Sequence, residues 1–247
     1  MYLAASRYLF RTLKCRYRDH RVEMDALLSN LQPGDVAVDV GANKGAFLWP
    51  LARRVGPTGR VLAVEPQADL AAYLRHTMTS LGVHQVEVIE AVASDGAGTT
   101  VLHVPQSGTS PGATVVQGQH VPADWRRVDV KAVRLDDLLE HETRRVAALK
   151  VDVEGFEPQV LAGAEGLIAR QRPVIVFECE ERHLEGSGVG VRDVVGWLST
   201  RGYAVSFVQG GWRVGAEDYS PERHQRRLGE RYWDSPNYCN NFVAVPR

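Results

Sequence analysis

Cysteine is scarce in this chain of 247 residues. Cys15, Cys179 and Cys239 are far apart and odd in number, so neither a disulfide framework nor a CxxC zinc knuckle can be read from them. A reducing, cytoplasmic compartment is the expectation. Long apolar runs are missing too, and none approaches the roughly 18 residues of a membrane span. Charge of one sign is also missing. The 29 Lys and Arg against 30 Asp and Glu leave a formal net charge of −1, which excludes a molecule built as a whole to bind polyanions. A hydrophobic fraction of 44% and a charged fraction of 24% exclude a wholly disordered, collagen-like or coiled-coil chain. The length suits one large α/β domain or two small ones, and no repeat or composition shift marks a boundary between two. The division expected is a basic helical extension over 1–30 and a single domain over 31–247.

Within the extension, Arg7, Arg11, Lys14, Arg16, Arg18 and Arg21 face a single acid, Asp19, in the first 21 residues. Arginines interrupt the apolar residues, so the segment lacks the h-region of a signal peptide. In a helix, Leu3, Leu9, Phe10, Leu13 and Tyr17 fall largely along one side. Two roles fit: a helix covering the sheet edge, or one docking on a membrane surface or a partner.

From residue 22 the chain alternates apolar runs with amphipathic segments. Buried-strand runs are expected at 36–40, 60–65, 86–92, 147–153, 174–178, 203–208 and 241–245. Helices are expected at 45–55, after Glu65 with Pro66 in the first turn, over a short piece at 135–140, from near Pro158, and over 191–198. Residues 94–130 break the rhythm with Gly, Ser, Thr and Pro and predict hairpins inserted after the third strand, reaching over a cleft. Alternation of this kind means a parallel sheet with helices on both faces, and ligands bind beyond the carboxyl ends of its strands.

Those strand ends carry the chemistry. Asp39-Val40-Gly41-Ala42-Asn43-Lys44-Gly45 ends a strand and opens a helix. A dinucleotide fingerprint needs a glycine where Asn43 stands, so that a pyrophosphate can approach the backbone. A ligand without phosphates has no such need, and S-adenosylmethionine is one. Glu65, 24 residues after Gly41, ends the second strand and can accept both ribose hydroxyls. A charge-assisted hydrogen bond of that kind is worth about 1.5–3 kcal/mol.

Several further segments agree in order and spacing with one family. Together with the Asp39–Gly45 turn they are Glu65-Pro66, Ala93-Ser94-Asp95, Val133-Arg134-Leu135-Asp136-Asp137-Leu138-Leu139, Lys150-Val151-Asp152-Val153-Glu154-Gly155-Phe156-Glu157 and Asn241-Phe242-Val243-Ala244-Val245-Pro246. With these the chain resembles the FkbM family of S-adenosylmethionine-dependent methyltransferases. The resemblance runs from about residue 30 to residue 180, with the last strand added. It implies a class I methyltransferase (Rossmann-like) fold: seven strands, mostly parallel, the last antiparallel, with helices on both faces. It also implies O-methylation of hydroxyls on secondary metabolites, sugars or glycolipids. Asp39, Gly41, Asn43, Gly45, Glu65, Pro66, Ser94, Asp95 and Asp152 are then the cofactor-binding candidates.

Lys150, Asp152 and Glu154 alternate along the fourth strand run, which would point them the same way. Glu178 closes the next strand, and His183 follows soon after. These five are the catalytic candidates. Two routes would help an acceptor hydroxyl lose its proton. A carboxylate or histidine can serve as general base. Alternatively Asp152, Glu178 and a third oxygen ligand can hold Mg²⁺. His103 and His120 are weaker candidates for the base, and Trp125, Trp212 and Trp233 are either core aromatics or the lining of an acceptor pocket. No nucleic-acid partner is expected, because Asp152-Val153-Glu154-Gly155 stands where base methylases carry Asp/Asn-Pro-Pro-Tyr/Phe. Ser235-Pro236-Asn237-Tyr238 resembles that motif but comes too late in the chain. The alternatives are an RNA methyltransferase, a nicotinamide oxidoreductase, and a binding or regulatory protein of the same fold without turnover.

Overall fold

A computed structural model describes residues 2–105, 113–115, 125–185, 187–229, 232, 235 and 237–247, with side chains from residue 6 onward. Three strands, β1 (Val36–Val40), β2 (Arg60–Val64) and β3 (Val86–Ile89), lead into a small sheet of β4 (Val92–Ala93), β5 (Gly98–Val104) and β6 (Arg126–Val133). The main sheet resumes with β7 (Val146–Val151), β8 (Val174–Glu178), β9 (Tyr203–Gln209), β10 (Trp212–Gly215) and β11 (Asn241–Pro246). Its order is β10-β9-β11-β8-β7-β1-β2-β3. β11 runs antiparallel between β8 and β9, and β10 folds back antiparallel on β9. The sheet therefore has eight strands rather than the seven expected. The eighth, β10, forms from the Gly210-Gly211 turn, where both glycines take positive φ.

The helices are α1 (Tyr2–Lys14), continued by a π-helical turn over Cys15–Asp19, α2 (Arg21–Asn30), α3 (Leu48–Val55), α4 (Ala68–Ser80), α5 (Leu135–Leu138), α6 (Glu157–Ala162), α7 (Glu165–Gln171), α8 (Glu181–Leu184), α9 (Val191–Thr200) and α10 (Pro221–His224). β1 is buried along its whole length, which is why Val-Ala-Val-Asp-Val reads as a continuous apolar run with one acid. Its Val36, Val38 and Val40 join Val160, Leu167, Ile168, Val194 and Leu198 in the core on one face of the sheet. Its Ala37 turns to the other face, toward Met24, Leu27, Leu51, Leu74 and Met78. Burying each such large side chain stabilises the fold by about 1.5–3 kcal/mol.

Several boundaries differ from the sequence expectation for local reasons. α3 starts at Leu48, not 45, because Gly45 takes φ +71°. Pro66 lies outside α4, which opens at Ala68. The helix expected from Pro158 breaks into α6 and α7 at Gly163, where a Cβ would sit 1.9 Å from the Ser94 carbonyl oxygen. α2 packs against β7, β8 and β11, so the extension covers central strands and not the sheet edge. α1 buries Tyr8, Thr12 and Cys15, whereas Phe10, Leu13 and Tyr17 are exposed. Among the described residues no helix is long and apolar enough to cross a membrane.

Candidate functional site

The turn after β1 is shaped by contacts within the chain. Gly41 has φ +72°, and a Cβ there would lie 1.8 Å from the Asp152 carbonyl oxygen. Gly45 is needed elsewhere, because its Cβ would meet Leu74 Cδ2 at 2.6 Å. Asn43, at φ +48°, donates its backbone N–H to Glu65 Oε2 at 2.7 Å, and the Gln67 N–H reaches Glu65 Oε1 at 2.9 Å. The carboxylate thus ties the two βα turns together. It offers about four lone-pair sites, so acceptor capacity remains for a ligand's hydroxyls. Burial raises the Glu65 pKa, and the two N–H donors work against that rise.

Glu65 opens onto a cleft at the carboxyl ends of β1, β2 and β7. Val40, Val64, Pro66, Ala91, Val92 and Phe156 supply apolar walls. Leu102 of β5, with Ala113 and Val115 from the insertion between β5 and β6, lines one side. Gly41, Asn43, Asp152, Glu154 and Glu178 complete the lining.

The acidic tip is not a continued strand. β7 ends at Val151, and the Asp152 N–H makes the last ladder bond, to the Val40 carbonyl at 3.1 Å. Glu154 and Gly155 take φ +52° and +98°, so the strand alternation expected of Lys150, Asp152 and Glu154 stops before Glu154. Glu157 Oε1 holds this turn by accepting the N–H groups of Val153 and Gly155 at 3.2 and 3.1 Å. Lys150 is buried below the cleft. Its Nζ donates to the Gly41 carbonyl at 2.9 Å and pairs with Asp39 Oδ1 at 3.1 Å and Asp152 Oδ2 at 3.3 Å. Asp39 is its direct cross-strand neighbour. Burial alone would lower the Lys150 pKa, but Asp152 and Asp39 more than offset this and hold it charged.

Glu154 Oε2 stands 3.1 Å from His183 Nε2. Burial, followed by repulsion from Asp152, pushes the Glu154 pKa up to about 8. Burial and Arg182 push His183 down to about 4. The pair therefore carries one proton and no net charge near neutrality. The pKa of Glu178 is raised by burial and by Asp152 and Glu154. Asn240 Nδ2 donates to Glu178 Oε1 at 3.0 Å and to Glu180 Oε1 at 3.1 Å. Tyr238 and Arg182 also donate to Glu180; despite burial, these partners hold it at about 2.

Not every candidate reaches the cleft. Asp39 and Lys150 brace it from beneath, and His183 stands behind Glu154. Ser94 and Asp95 do not line it. The Ser94 N–H is tied to the Val133 carbonyl, its hydroxyl to Asp95 Oδ1, and Gly163 packs against its carbonyl. His103 is a β5 residue away from the lining, and Trp212 is 75% exposed, neither core nor pocket. His120, Trp233 and Pro236 lie outside the described residues. Glu157, Glu180, Arg182, Tyr238 and Asn240 were not among the site candidates read from the sequence. For the last two, the start of the terminal strand was the available signal, because an antiparallel β11 returns it to the end of β8.

The donor set does not suit Mg²⁺. Among the described residues no three His, Cys, Asp or Glu side chains converge as a cation site. Asp152 Oδ2 faces the Lys150 ammonium, and Glu178 Oε1 is taken by Asn240. The donor set does suit a phosphate-free nucleoside with a cationic sulfonium and the ammonium of an amino acid head. Such a ligand matches the left-over acceptor sites of Glu65, the backbone of the Gly41–Asn43 turn and the Asp152 carboxylate.

The family model described as Methyltransferase FkbM domain matches residues 39–205. A ribosomal RNA small subunit methyltransferase A from Burkholderia sp is 37% identical over 81 residues, covering 30% of this chain and 29% of that protein. A 31-O-demethyl-FK506 methyltransferase FkbM from Streptomyces tacrolimicus is 30% identical over 196 residues, covering 65% of this chain and 69% of its own length. The chain thus spans under a third of the first relative and about two thirds of the second. A solved FkbM methyltransferase from Methylobacillus flagellatus KT superposes with a TM-score of 0.52 at 14% identity, covering 98% of this chain and 54% of that one. That likeness shows a shared α/β fold with a mostly parallel sheet.

Proposed function

Because the chain belongs to the FkbM methyltransferase family, we propose that it methylates a hydroxyl of a small molecule, in the class of secondary metabolites, sugars and glycolipids, using S-adenosylmethionine. The observation that carries this reading is Glu154, a proton-holding group backed by His183 and set into the same cleft as Glu65. The likeness to a 31-O-demethyl-FK506 methyltransferase supports a hydroxyl acceptor.

S-adenosylmethionine, when bound, supplies a methyl group activated by its sulfonium. Glu65 accepts the ribose hydroxyls while Asn43 and Gln67 keep its carboxylate aimed. Asp152, anchored by Lys150, would face the ligand's ammonium group. Glu154 in its ionised form takes the acceptor's proton and can share it with His183 Nε2 across their contact. A well-placed general base contributes about 10²- to 10⁴-fold. Leu102, Val115 and Phe156 line the cleft with apolar surface, against which the acceptor would be oriented for in-line transfer.

The test is calorimetry with S-adenosylmethionine, followed by incubation with a panel of hydroxylated metabolites and glycolipids under mass detection. Binding and a gain of one CH₂ on a hydroxyl are expected. Absence of binding would end the cofactor assignment. Binding without transfer to any member of the panel would favour a non-catalytic protein of this fold.

A further inference from the structure

Helix α1 has two apolar sides. The inner side carries Tyr8, Thr12 and Cys15, all buried. The Tyr8 hydroxyl donates to the Gly45 carbonyl at 2.8 Å, and Arg11 Nη1 reaches the Lys44 carbonyl at 3.4 Å, so this side rests against the turn after β1. The outer side carries Phe10, Leu13 and Tyr17, which are 70, 45 and 67% exposed. Phe10 and Leu13, at i and i+3, make one stripe on α1, and Tyr17 is exposed on the π-helical turn that continues it. Packing of the inner side accounts for the position of the helix but leaves three large apolar side chains in water. The Leu3 side chain lies outside those described.

The rim of the stripe is basic. Arg7 and Arg18 are exposed, and Lys14, Arg16 and Arg21 stand nearby. Three acids lie among them. Glu23 is buried, Asp19 is shared by Lys14 and Arg18, and Asp25 is shared by Arg16 and Arg21. A positive surplus remains, in a chain whose overall charge is −1. A third exposed aromatic adjoins this region, since Arg21 Nη2 donates to the Gly211 carbonyl at 3.3 Å and Trp212 is the next residue.

We propose that this face docks the protein on an anionic lipid surface. An apolar helix stripe rimmed by Arg and Lys buries its side chains at the boundary of headgroups and acyl chains, while the cations meet the anionic headgroups. Exposed Tyr and Trp suit that interfacial depth. The sign of the charge selects anionic over zwitterionic lipid. Docking of this kind needs no turnover and is independent of the methyl-transfer reading.

The full chain is floated with phosphatidylcholine vesicles, with and without phosphatidylserine, at low and raised salt. Flotation is expected only with phosphatidylserine, and it weakens as salt rises. The variant Phe10→Ser/Leu13→Ser/Tyr17→Ser should bind about tenfold more weakly or less still. Arg7→Glu/Arg18→Glu should lose the preference for phosphatidylserine. Both variants change exposed side chains, and unchanged melting temperatures confirm that they fold. Wild-type protein that stays behind with phosphatidylserine vesicles at low salt would overturn docking. So would equal binding to both vesicle types, or a triple variant that floats like wild type. A wild-type dimer that ignores vesicles and dissociates in the triple variant would assign the stripe to a second copy of the chain and also overturn it.

Discussion

The imidazole Nε2 of His183 and the carboxyl Oε2 of Glu154 stand 3.1 Å apart, although the two residues follow different strands. Glu154 belongs to the turn after β7 and His183 to α8, after β8. Gly155 makes the contact feasible, since a Cβ at that position would lie 2.6 Å from the His183 carbonyl oxygen. A carboxyl group that is buried, beside another acid and backed by a neutral imidazole keeps its proton to unusually high pH. Such a group is poised to exchange a proton near neutrality.

Glu154→Gln should lower kcat by about 10²-fold or more while S-adenosylmethionine affinity stays within about twofold. The wild-type kcat should rise with pH through about 8, where Glu154 loses its proton. The variant should lack that limb. Calorimetry and a kcat–pH profile separate the two quantities. A variant with wild-type kcat would remove Glu154 from the reaction.

Glu65 has a structural duty that its place at a strand end did not reveal. Glu65→Ala removes the acceptor of two backbone N–H groups as well as the ribose anchor. Each donor left unpaired costs about 1–3 kcal/mol. Glu65→Ala should therefore weaken S-adenosylmethionine binding about 10- to 100-fold and also lower the melting temperature. Glu65→Gln keeps one carbonyl acceptor and turns its NH₂ toward the other donor, so it should recover only part of the stability and little of the affinity. Full affinity in Glu65→Gln would show that the negative charge is not what holds the ligand.

The sequence signals were strongest where burial acts on both faces. Val36–Val40, Arg60–Val64 and Val174–Glu178 are read correctly because a strand sandwiched between helix layers has no polar face to confuse the pattern. Glu65 is legible because strand end and spacing coincide. Glu154 is misplaced because Val153 continues the apolar alternation past the true end of β7, and the stop is made by the positive φ of Glu154 and Gly155. The links from Asn240 to Glu178 and from Tyr238 to Glu180 span about sixty residues of sequence and exist only through the antiparallel return of β11. The outward stripe of α1 follows from the fold, because sequence alone does not say which of two apolar sides is buried.

Lys150 and Asp39 form a buried cross-strand pair at 3.1 Å. Lys150→Met leaves the Asp39 carboxylate unpaired in the core, and loss of one partner of such a pair costs about 3–5 kcal/mol. Asp39→Asn relieves that charge, so Lys150→Met should be clearly less harmful in the Asp39→Asn background. Urea unfolding of the four proteins of the cycle measures the coupling. Strict additivity would mean that the pair contributes nothing beyond its separate contacts.

Glu157 predicts a pH dependence of stability with a definite sign. It is fully buried, one oxygen caps the 153–155 turn, and Oε2 has no hydrogen-bond partner among the described residues. Burial raises its pKa from 4.5 to about 7. The folded protein therefore binds a proton there more tightly than the unfolded chain does. The stabilisation is fully present below the unfolded value and is lost as pH rises through about 7. At about 1.4 kcal/mol per pKa unit, the loss on going alkaline is at most about 3–4 kcal/mol. Glu157→Gln keeps an oxygen for both N–H groups and cannot ionise. Its stability relative to wild type should therefore improve between about pH 5 and about pH 8. Denaturant melts of both proteins at the two pH values measure this, and a wild-type-to-variant difference that does not move with pH would show that the buried carboxyl ionises without cost.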